Sequence, residues 1–372
     1  MSHIERRKLK TGVSWRVRYV DPDGRERSRS FKRKADAEDF ETSVSHAMRS
    51  GAYVDPTAGQ QTVRAYLEEW RLQQSQHRPK TAASTRTRFR TMVYPYIGDL
   101  PIAKVKPSTI RTWQATLLAV PYAPSSVVGV RGVVAGAFND AVMDRRIASS
   151  PFTGVKAPEV VKVKVVPRTI EQVRAGEAAM PDRYRAIVPF VAGTGLRVSE
   201  VFGLTVDRID FLRGTVRVDR QLVGRVKKDP VFGPPKTKSS NRTVPLPKHV
   251  VAVLADHLRK YPAEPGQLVF RTLRGTPLTR TVFQKAWEPA AAAMGLVKGE
   301  GLHQLRHFYA SLLIARGRSP IEVQERLGHA TAQETLDTYA HLFPDSDEGT
   351  RDAIDEAFAE TPNKSEGKDS GS

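Results

Sequence analysis

Six residues with reactive or charged side chains, widely separated along the chain, constrain the fold of this sequence more than any other feature. In chain order they are Arg197, Lys236, His303, Arg306, His329 and Tyr339. Together they supply the cations, proton donors and nucleophile that cleavage of a phosphodiester requires without a metal ion. We therefore expect a fold that brings these distant segments together around one phosphorus atom.

Two arginines are the candidate phosphate ligands. Arg197 lies in the string T-G-L-R-V-S-E, and Arg306 lies in H-Q-L-R-H. A guanidinium is a planar fork that can donate two hydrogen bonds to one phosphate, which a lysine ammonium cannot do with the same directionality. Glu200 follows Arg197 by three positions, so a helix would place its carboxylate beside the guanidinium. There it would orient the arginine or a histidine, or else cap the helix.

Histidines flank these arginines. His303 precedes Arg306 by three positions, so one helical turn can present both side chains to the same phosphate. His329 follows Gly328, a residue type common at helix C-termini, and can donate a hydrogen bond to the phosphate. His307 adjoins Arg306, and we expect it to point away from the site and bond to the scaffold. No metal is expected, because H-Q-L-R-H lacks the glutamate of the zinc motif H-E-x-x-H.

Tyr339 is the candidate nucleophile. It ends the string T-L-D-T-Y, ten positions after His329. An unperturbed phenol has a pKa of about 10 and is a poor nucleophile at neutral pH, so it needs neighbouring cations and a base. His303 can take the phenolic proton or polarise an oxygen. Tyr309 lies inside the helix predicted for H-Q-L-R-H and is the weaker candidate.

The strings around Arg197, His303, Arg306, His329 and Tyr339 resemble those of the tyrosine recombinases, the phage integrase family. The resemblance implies a site-specific recombinase that integrates or excises a phage or other mobile element. In that family the tyrosine attacks the scissile phosphate and forms a 3′-phosphotyrosyl link, which a 5′ hydroxyl of the partner duplex displaces. The implied partners are attachment-site DNA in a homotetramer, with a host DNA-bending protein and a directionality factor as further candidates.

The resemblance also implies that a loop lysine protonates the departing 5′ oxygen. Lys236 lies in the turn-rich string P-P-K-T-K-S-S-N-R-T-V-P-L, between segments at 215–223 and 242–246 whose alternation predicts strands. Lys238 is the rival on the same loop. We prefer Lys236 because the family pattern places this lysine first before the strand.

The charge of the chain agrees with a nucleic-acid partner. Lys and Arg number 59 against 40 Asp and Glu, a formal net charge of +19. Such a surplus favours a polyanion, because each neutralised phosphate releases condensed counterions. The absence of cysteine excludes disulfides and thiolate catalysis. The start lacks a signal peptide and no apolar run reaches the roughly 20 residues of a membrane span, so we expect no membrane, no cofactor and a bacterial cytoplasmic, nucleoid-associated location.

The pattern predicts an α+β protein of several domains. We expect a small three-stranded sheet plus one helix at 1–58, which by resemblance binds arm-type DNA, and a helical core-binding domain at 62–155. A mostly helical catalytic domain with a small β-sheet should occupy 168–345. A C-terminal helix and a disordered tail should occupy 346–372.

Several elements can be placed within these domains. Thr62 should cap one helix, and others are predicted at 81–92, 106–118 and 125–144. Thr169 should open the first helix of the catalytic domain.

Arginines are dense in the N-terminal sheet. If they share one face, the ribbon fits a major groove of DNA. The predicted DNA contacts are Arg16, Arg18, Arg25, Arg27 and Arg29. The competing interpretation is a hairpin whose arginines are merely solvated.

Two other classes of protein stay open. A type IB topoisomerase would share the catalytic residues but relax supercoils as a monomer, without a separate arm-binding domain. A non-enzymatic architectural DNA-binding protein would form no covalent adduct. The additional basic domain favours an integrase, because it permits one protein to bridge two DNA sites.

Overall fold

The computed structural model describes residues 2–359 apart from 10, 11, 23, 52, 56, 121, 162, 163, 236, 344 and 345. The chain divides into two compact units, Met1–Lys162 and Val163–Ser372. Helices predominate and the sheets are small and separate, which confirms the predicted α+β class. Lys236 and the predicted tail after residue 359 lie outside the described residues.

The first unit begins with an antiparallel sheet of strand order β1-β2-β3 and one helix, as predicted. Their bounds are β1 Ser2–Leu9, β2 Gly12–Val20, β3 Glu26–Phe31 and α1 Lys34–Arg49. Val17 and Tyr19 of β2 are buried in one cluster with Ala37 and Val44 of α1. One face of the sheet therefore packs on the helix, and the alternate residues face outward.

The strand register separates the predicted DNA-contacting arginines. Arg16 and Arg18 alternate with the buried Val17, so they lie on the open face of the sheet. Arg29 is the direct partner of Val17 on β3, and therefore shares the face that packs on α1. Arg27 lies two positions away from Arg29 on that same face. The prediction that all these arginines share one face is wrong for Arg27 and Arg29.

Local contacts occupy the two arginines of the helix-facing side. Arg27 forms ion pairs with Asp21, at 3.0 Å, and with Asp55. The Arg29 guanidinium lies over the Phe40 ring, 5.1 Å from its centroid. These contacts tie the sheet to α1 and to the segment that follows it.

A helical region completes the first unit. Its helices are α2 Val63–Gln73, α3 Pro79–Arg88, α4 Tyr94–Ile97, α5 Pro107–Ala119 and α6 Pro124–Met143. Thr62 caps α2 as predicted, its side chain accepting from Ala65 N at 3.2 Å. The predicted helix at 81–92 differs at its end, because the chain passes from α3 into a π turn at Phe89–Val93.

Helix α6 is long and apolar enough to cross a membrane, judged by length and composition alone. Its Val127, Val130, Val134 and Phe138 are fully buried in the hydrophobic cluster of this region. The apolar residues of α6 therefore serve the core of the unit.

The second unit surrounds a large hydrophobic cluster. Its helices are α7 Ile170–Ala179, α8 Asp182–Arg185, α9 Ile187–Thr194, α10 Val198–Phe202, α11 Lys248–Lys260, α12 Arg280–Ala293, α13 His303–Ala315, α14 Pro320–Leu327, α15 Ala332–Tyr339 and α16 Ser346–Ala359. Its strands are β4 Ile209–Asp210, β5 Thr215–Val218, β6 Gln221–Val226, β7 Asp229–Gly233 and β8 Arg242–Pro245. They form a sheet of order β4-β5-β8 and a β6-β7 hairpin, so the strand predicted at 215–223 is divided between β5 and β6.

Helix ends in this unit have clear local causes. Thr169 opens α7 as predicted, in a capping box with Gln172. Gly195 ends α9 and Gly328 ends α14, each with φ near 65° in the left-handed region that favours glycine. A Cβ on Gly195 would also lie 2.5 Å from Cδ1 of Tyr309. Both glycines stand immediately before segments that carry predicted site residues.

Candidate active site

Arg197 connects three segments of the second unit. It is the N-cap residue of α10, where its backbone N–H donates to Glu200 Oε2 at 2.9 Å. Its Nη1 donates to Glu200 Oε1 at 3.1 Å and to Ser240 Oγ at 3.0 Å, and its Nη2 donates to the Gly328 carbonyl at 2.8 Å. The carboxylate thus lies beside the guanidinium, as the three-residue spacing predicts.

Arg242 is a part of the site that the sequence analysis missed. It lies at the start of β8 with a side chain only 7% exposed, and its Nη2 contacts Glu200 Oε2 at 3.0 Å. Its Nε donates to the Arg326 carbonyl at 2.8 Å. Although burial raises the pKa of Glu200, Arg242 and Arg197 outweigh it and hold that pKa below its ordinary value. The available signal was an arginine at the start of a predicted strand, close to the lysine loop.

Arg306 is almost completely buried, with 1% of its surface exposed. Its Nη1 donates to the Gly195 carbonyl at 2.7 Å. Burial and the nearby Arg197 lower the pKa of Arg306 to about 9, so the guanidinium stays protonated at neutral pH. Among the residues that the structure describes, Gly195 is the only hydrogen-bond partner of the Arg306 guanidinium. A buried cation with unused N–H donors is suited to an anionic ligand.

His303 and His329 lie near both arginines. His303 reaches the surface, yet partial desolvation, with His307 and Arg306 next in importance, lowers the pKa of its imidazole to about 4. His329 is buried, and its Nδ1 lies 2.8 Å from Thr335 Oγ1. Burial and then Arg306 lower the pKa of His329 to about 4. Both rings are therefore neutral at pH 7 and able to accept or donate a hydrogen bond.

Tyr339 ends α15 and is 1% exposed. Its hydroxyl lies 2.8 Å from Nδ1 of His307. Burial raises the pKa of Tyr339 to about 12, and Arg306 opposes that rise. The prediction that His307 points away from the site is wrong, because the ring turns toward the nucleophile. The missed signal is the spacing of His303 and His307, which puts both rings on one helical face.

The lysine loop is described only in part. Lys236 lies outside the described residues, so the choice between Lys236 and Lys238 stays a prediction. Thr237 Oγ1 lies 2.8 Å from Ser240 Oγ, which also accepts from Arg197. The loop is therefore attached to the arginine cluster at Ser240.

The fold brings five of the six predicted catalytic residues into one electrostatically coupled cluster. Their charges act on one another: Arg197, Arg306 and His329 each lower the pKa of His303, and Arg306 lowers that of Tyr339. Two guanidiniums, two neutral imidazoles and a buried phenol can bind a phosphate, stabilise its extra charge and supply a nucleophile.

Comparison with known families agrees with this cluster. A model described as "Phage integrase family" matches residues 159–345, and one described as "Phage integrase, N-terminal SAM-like domain" matches residues 62–118. The chain belongs to the phage integrase family. It is a site-specific recombinase of the tyrosine type, an enzyme that breaks and rejoins DNA strands.

Individual relatives agree in sequence and in fold. The integrase of Mycobacterium phage D29 is 28% identical over 349 residues, which cover 88% of this chain and 91% of that protein. The Tn1549 transposon integrase, solved with a circular intermediate DNA, has a TM-score of 0.69 at 20% identity and covers 80% of this chain and 99% of its own. A lambda integrase tetramer bound to a Holliday junction has a TM-score of 0.57 at 18% identity, covering 88% and 96%.

Proposed function

We propose that this recombinase integrates and excises a mobile element by cutting attachment-site DNA at a phosphate held between Arg197 and Arg306. The observation that supports it most is that the Gly328 turn holds Arg197 and the Gly195 turn holds Arg306, while Arg306 interacts electrostatically with both Arg197 and the buried Tyr339. A metal-independent phosphoryl transfer needs its cations and its nucleophile at one place, and this cluster supplies both.

In the proposed reaction the Tyr339 oxygen attacks the phosphorus. A bond forms from the phenolic oxygen to phosphorus while the bond to the 5′ oxygen breaks, and the phenolic proton passes to an imidazole. Arg197 and Arg306 stabilise the non-bridging oxygens, and His329 donates to one of them. The 5′ oxygen takes its proton from Lys236. The 3′-phosphotyrosyl link conserves the energy of the broken bond, so a 5′ hydroxyl of another duplex can reverse the step.

Glu200 has a supporting role in this proposal. Its carboxylate accepts hydrogen bonds from the backbone and the side chain of Arg197 and from the side chain of Arg242. The guanidinium of Arg197 is thereby held in one orientation before DNA binds. A preorganised donor needs no rearrangement at the moment of reaction.

The experiment that tests the nucleophile uses a nicked duplex, from which the released short strand diffuses away and leaves the covalent adduct trapped. Tyr339→Phe should bind this DNA as the wild type does and form no adduct, because the attacking oxygen is gone. Tyr309→Phe is the matched control, since it removes another buried tyrosine hydroxyl of the same unit and should keep the adduct. An adduct in Tyr339→Phe, mapped to another side chain, would refute the assignment.

The open face of the N-terminal sheet is the proposed arm-type DNA surface. Arg16 and Arg18 lie on that face, and Arg25 is exposed just before β3. A two- or three-stranded ribbon of this kind fits a major groove, where arginines reach both phosphates and base edges. Arg27 and Arg29 are not proposed to contact DNA, because their side chains contact residues on the helix-facing side of the sheet.

The proposed active assembly is a homotetramer on DNA, in which α16 docks on a second copy. Ile354 is 53% and Phe358 80% exposed on this helix, which is also acidic. The second unit has an apolar groove of about 570 Å³, lined in part by Ile170, Phe308, Leu312 and Leu342 and flanked by Arg168 and Arg316. An amphipathic acidic helix matches an apolar groove with basic flanks.

Assembly can be tested by changing either side of this contact. Phe358→Asp and Leu312→Asp should each prevent tetramers on DNA while a single copy still binds one site. Leu273→Asp is the control, since it introduces the same charge at an exposed leucine of the same unit away from the groove. Docking of α16 within its own chain would instead leave the oligomeric state of Phe358→Asp unchanged and lower its melting temperature.

The proposed reaction also indicates where the protein acts and which additional partners it needs. The proposed location is the bacterial cytoplasm at the nucleoid, where attachment-site DNA is found. A host DNA-bending protein and a directionality factor are the proposed additional partners, because bridging of arm and core sites requires bent DNA.

A further inference from the structure

We propose that His307 is the catalytic base of this recombinase, taking the phenolic proton of Tyr339 through its Nδ1 atom. The inference rests on the proposed function, because it concerns the same strand-cleavage step. It gives a chemical role to a histidine that the sequence alone places on the scaffold.

The geometry fits a proton transfer. The Tyr339 hydroxyl lies 2.8 Å from Nδ1 of His307, and the two rings meet at 66° with centroids 5.6 Å apart. This is the heavy-atom separation that general-base catalysis requires. Among the described residues, His307 is the only hydrogen-bond partner of the Tyr339 hydroxyl. The hydroxyl is satisfied as a donor when Nδ1 is unprotonated and Nε2 carries the ring proton.

The electrostatic surroundings keep His307 unprotonated at neutral pH, so its Nδ1 lone pair is free to accept a proton. Burial, followed by Arg306, lowers the pKa of His307 to about 4, while Glu300 acts in the opposite direction. His303 packs against the ring edge to face, at 4.6 Å between centroids. At pH 7 the imidazole is therefore neutral. A bound DNA phosphate adds negative charge beside Arg306 and would raise the proton affinity of His307 during attack.

His303 is less well placed for this task. It stands one helical turn before His307 at the start of α13, reaches the surface, and has no hydrogen bond to Tyr339 among the described residues. Because His303 is exposed, polarising an oxygen of a bound phosphate suits it better. His307 would then take the phenolic proton, and His303 would polarise a phosphate oxygen. The sequence alone offers both of these roles to His303.

The proton is conserved over the two half-reactions. In cleavage the O–H bond of Tyr339 breaks and its proton moves to Nδ1 of His307, while the phenolic oxygen bonds to phosphorus. The bond from phosphorus to the 5′ oxygen breaks, and that oxygen takes a proton from the general acid of the proposed reaction. In rejoining a 5′ hydroxyl gives its proton back to that general acid and bonds to phosphorus, the bond from phosphorus to the Tyr339 oxygen breaks, and the His307 imidazolium returns the proton to that oxygen. No oxidant, metal or other reactant is required. The same residue thus acts as base and then as acid, as microscopic reversibility demands.

The test compares His307→Asn with His303→Asn and with the exposed His249→Asn as the matched control. The asparagine Oδ1 takes the place of Nδ1 and can still accept a hydrogen bond from Tyr339, but it cannot take the proton. Single-turnover adduct formation would be measured from pH 6 to pH 9 on a nicked duplex that the wild type cleaves. DNA binding and melting temperature would be measured in parallel.

For His307→Asn we expect DNA binding like that of the wild type and cleavage slowed by about 10²–10⁴-fold at pH 7. Its rate should rise about tenfold per pH unit as hydroxide replaces the missing base, whereas the wild-type rate should be nearly independent of pH. His303→Asn should also cleave DNA more slowly than the wild type, but its rate should not rise steeply with pH. A His307→Asn rate near that of the wild type, or a slow rate that does not respond to pH, would refute the role.

A second measurement covers the case in which His307→Asn does not fold. His307→Ala leaves a space beside Tyr339, and added imidazole should raise its rate of adduct formation in proportion to concentration, without affecting the wild type. Absence of that rescue in a folded His307→Ala chain would contradict the proposal. Failure of the wild type itself to form an adduct would instead refute the proposed function.

Discussion

Glu200→Gln is the substitution from which the structure predicts most. Glu200 is buried, with a side chain 2% exposed, and it lies between Arg242 and Arg197 at 3.0 and 3.1 Å. Glutamine keeps the size and one acceptor oxygen but removes the negative charge. Two guanidiniums then face each other across a neutral amide, in a place where water screens their repulsion poorly.

The magnitude follows from the burial of this ion-paired group. Breaking a buried charge pair by altering one partner costs about 3–5 kcal/mol, and the retained acceptor puts Glu200→Gln near the lower end. In a unit of this size a loss of about 3 kcal/mol lowers the melting temperature by roughly 6–12 °C. Strand cleavage should slow as well, because the guanidinium of Arg197 loses the charged partner that orients it.

The stability difference between the wild type and Glu200→Gln should depend on pH. The pKa of Glu200 is held below its ordinary value, so its contribution to stability is complete above the ordinary pKa of about 4.3 and is lost as pH falls through the lowered one. The difference in melting temperature between wild type and Glu200→Gln should therefore narrow below about pH 4.

Calorimetry at several pH values checks both the lower melting temperature of Glu200→Gln and its convergence with the wild type in acid. The control is Glu325→Gln. Glu325 is an exposed carboxylate of the same unit, so its replacement should change the melting temperature little. A melting temperature for Glu200→Gln within about 2 °C of the wild type would refute the ion-pair argument. A difference from the wild type that stays constant into acid would refute it too.

Two further predictions concern backbone strain and DNA contact. Gly195→Ala should destabilise the second unit by at least about 2 kcal/mol in urea unfolding, because its φ is +65° and a Cβ would lie 2.5 Å from Tyr309 Cδ1. Replacing Arg16 and Arg18 by alanine should weaken arm-site binding and reduce the salt dependence of log K by about 1 per arginine. Arg27→Ala should leave that salt dependence unchanged and lower the melting temperature of the first unit instead.

Gly275→Ala separates the two causes at Gly195, because Gly275 also has positive φ, at +73°, but no atom lies within 4 Å of its added Cβ. It should show backbone strain alone, and so a smaller loss of stability. If both glycine variants lose the same amount, contact with Tyr309 contributes nothing. If Arg27→Ala weakens arm-site binding like the open-face arginines, the separation of faces is irrelevant to DNA binding.

Local chemistry made much of this fold predictable from the sequence. Thr62 and Thr169 cap helices because a hydroxyl beside a helix start can satisfy a backbone N–H within three residues. Gly328 ends α14 because only glycine adopts a left-handed φ at little cost. Such signals involve neighbours along the chain, so no tertiary information is needed to interpret them.

The errors concern residues whose role is set by partners far along the chain. The orientation of His307 depends on α15, which brings Tyr339 to it from 32 positions away. Arg242 is functional through Glu200, 42 positions earlier. Arg27 faces α1 because of a strand register and an ion pair with Asp55, which alternation alone does not specify. Spacing within one helix or strand can place two residues on one face, as it does for His303 and His307, but it does not specify which distant partner that face meets.

The two arginines of the site are each held by a segment that carries another site residue. Arg306 donates to the carbonyl of Gly195, two positions before Arg197, and Arg197 donates to the carbonyl of Gly328, directly before His329. Displacing either guanidinium therefore disturbs the turn that positions the next residue. Residues that share partners in this way have coupled mutational effects. Replacing both Arg197 and Arg306 should therefore reduce the rate of strand cleavage by much less than the product of the two single-variant reductions. The reason is that the first replacement already disorganises the turn that positions the second residue.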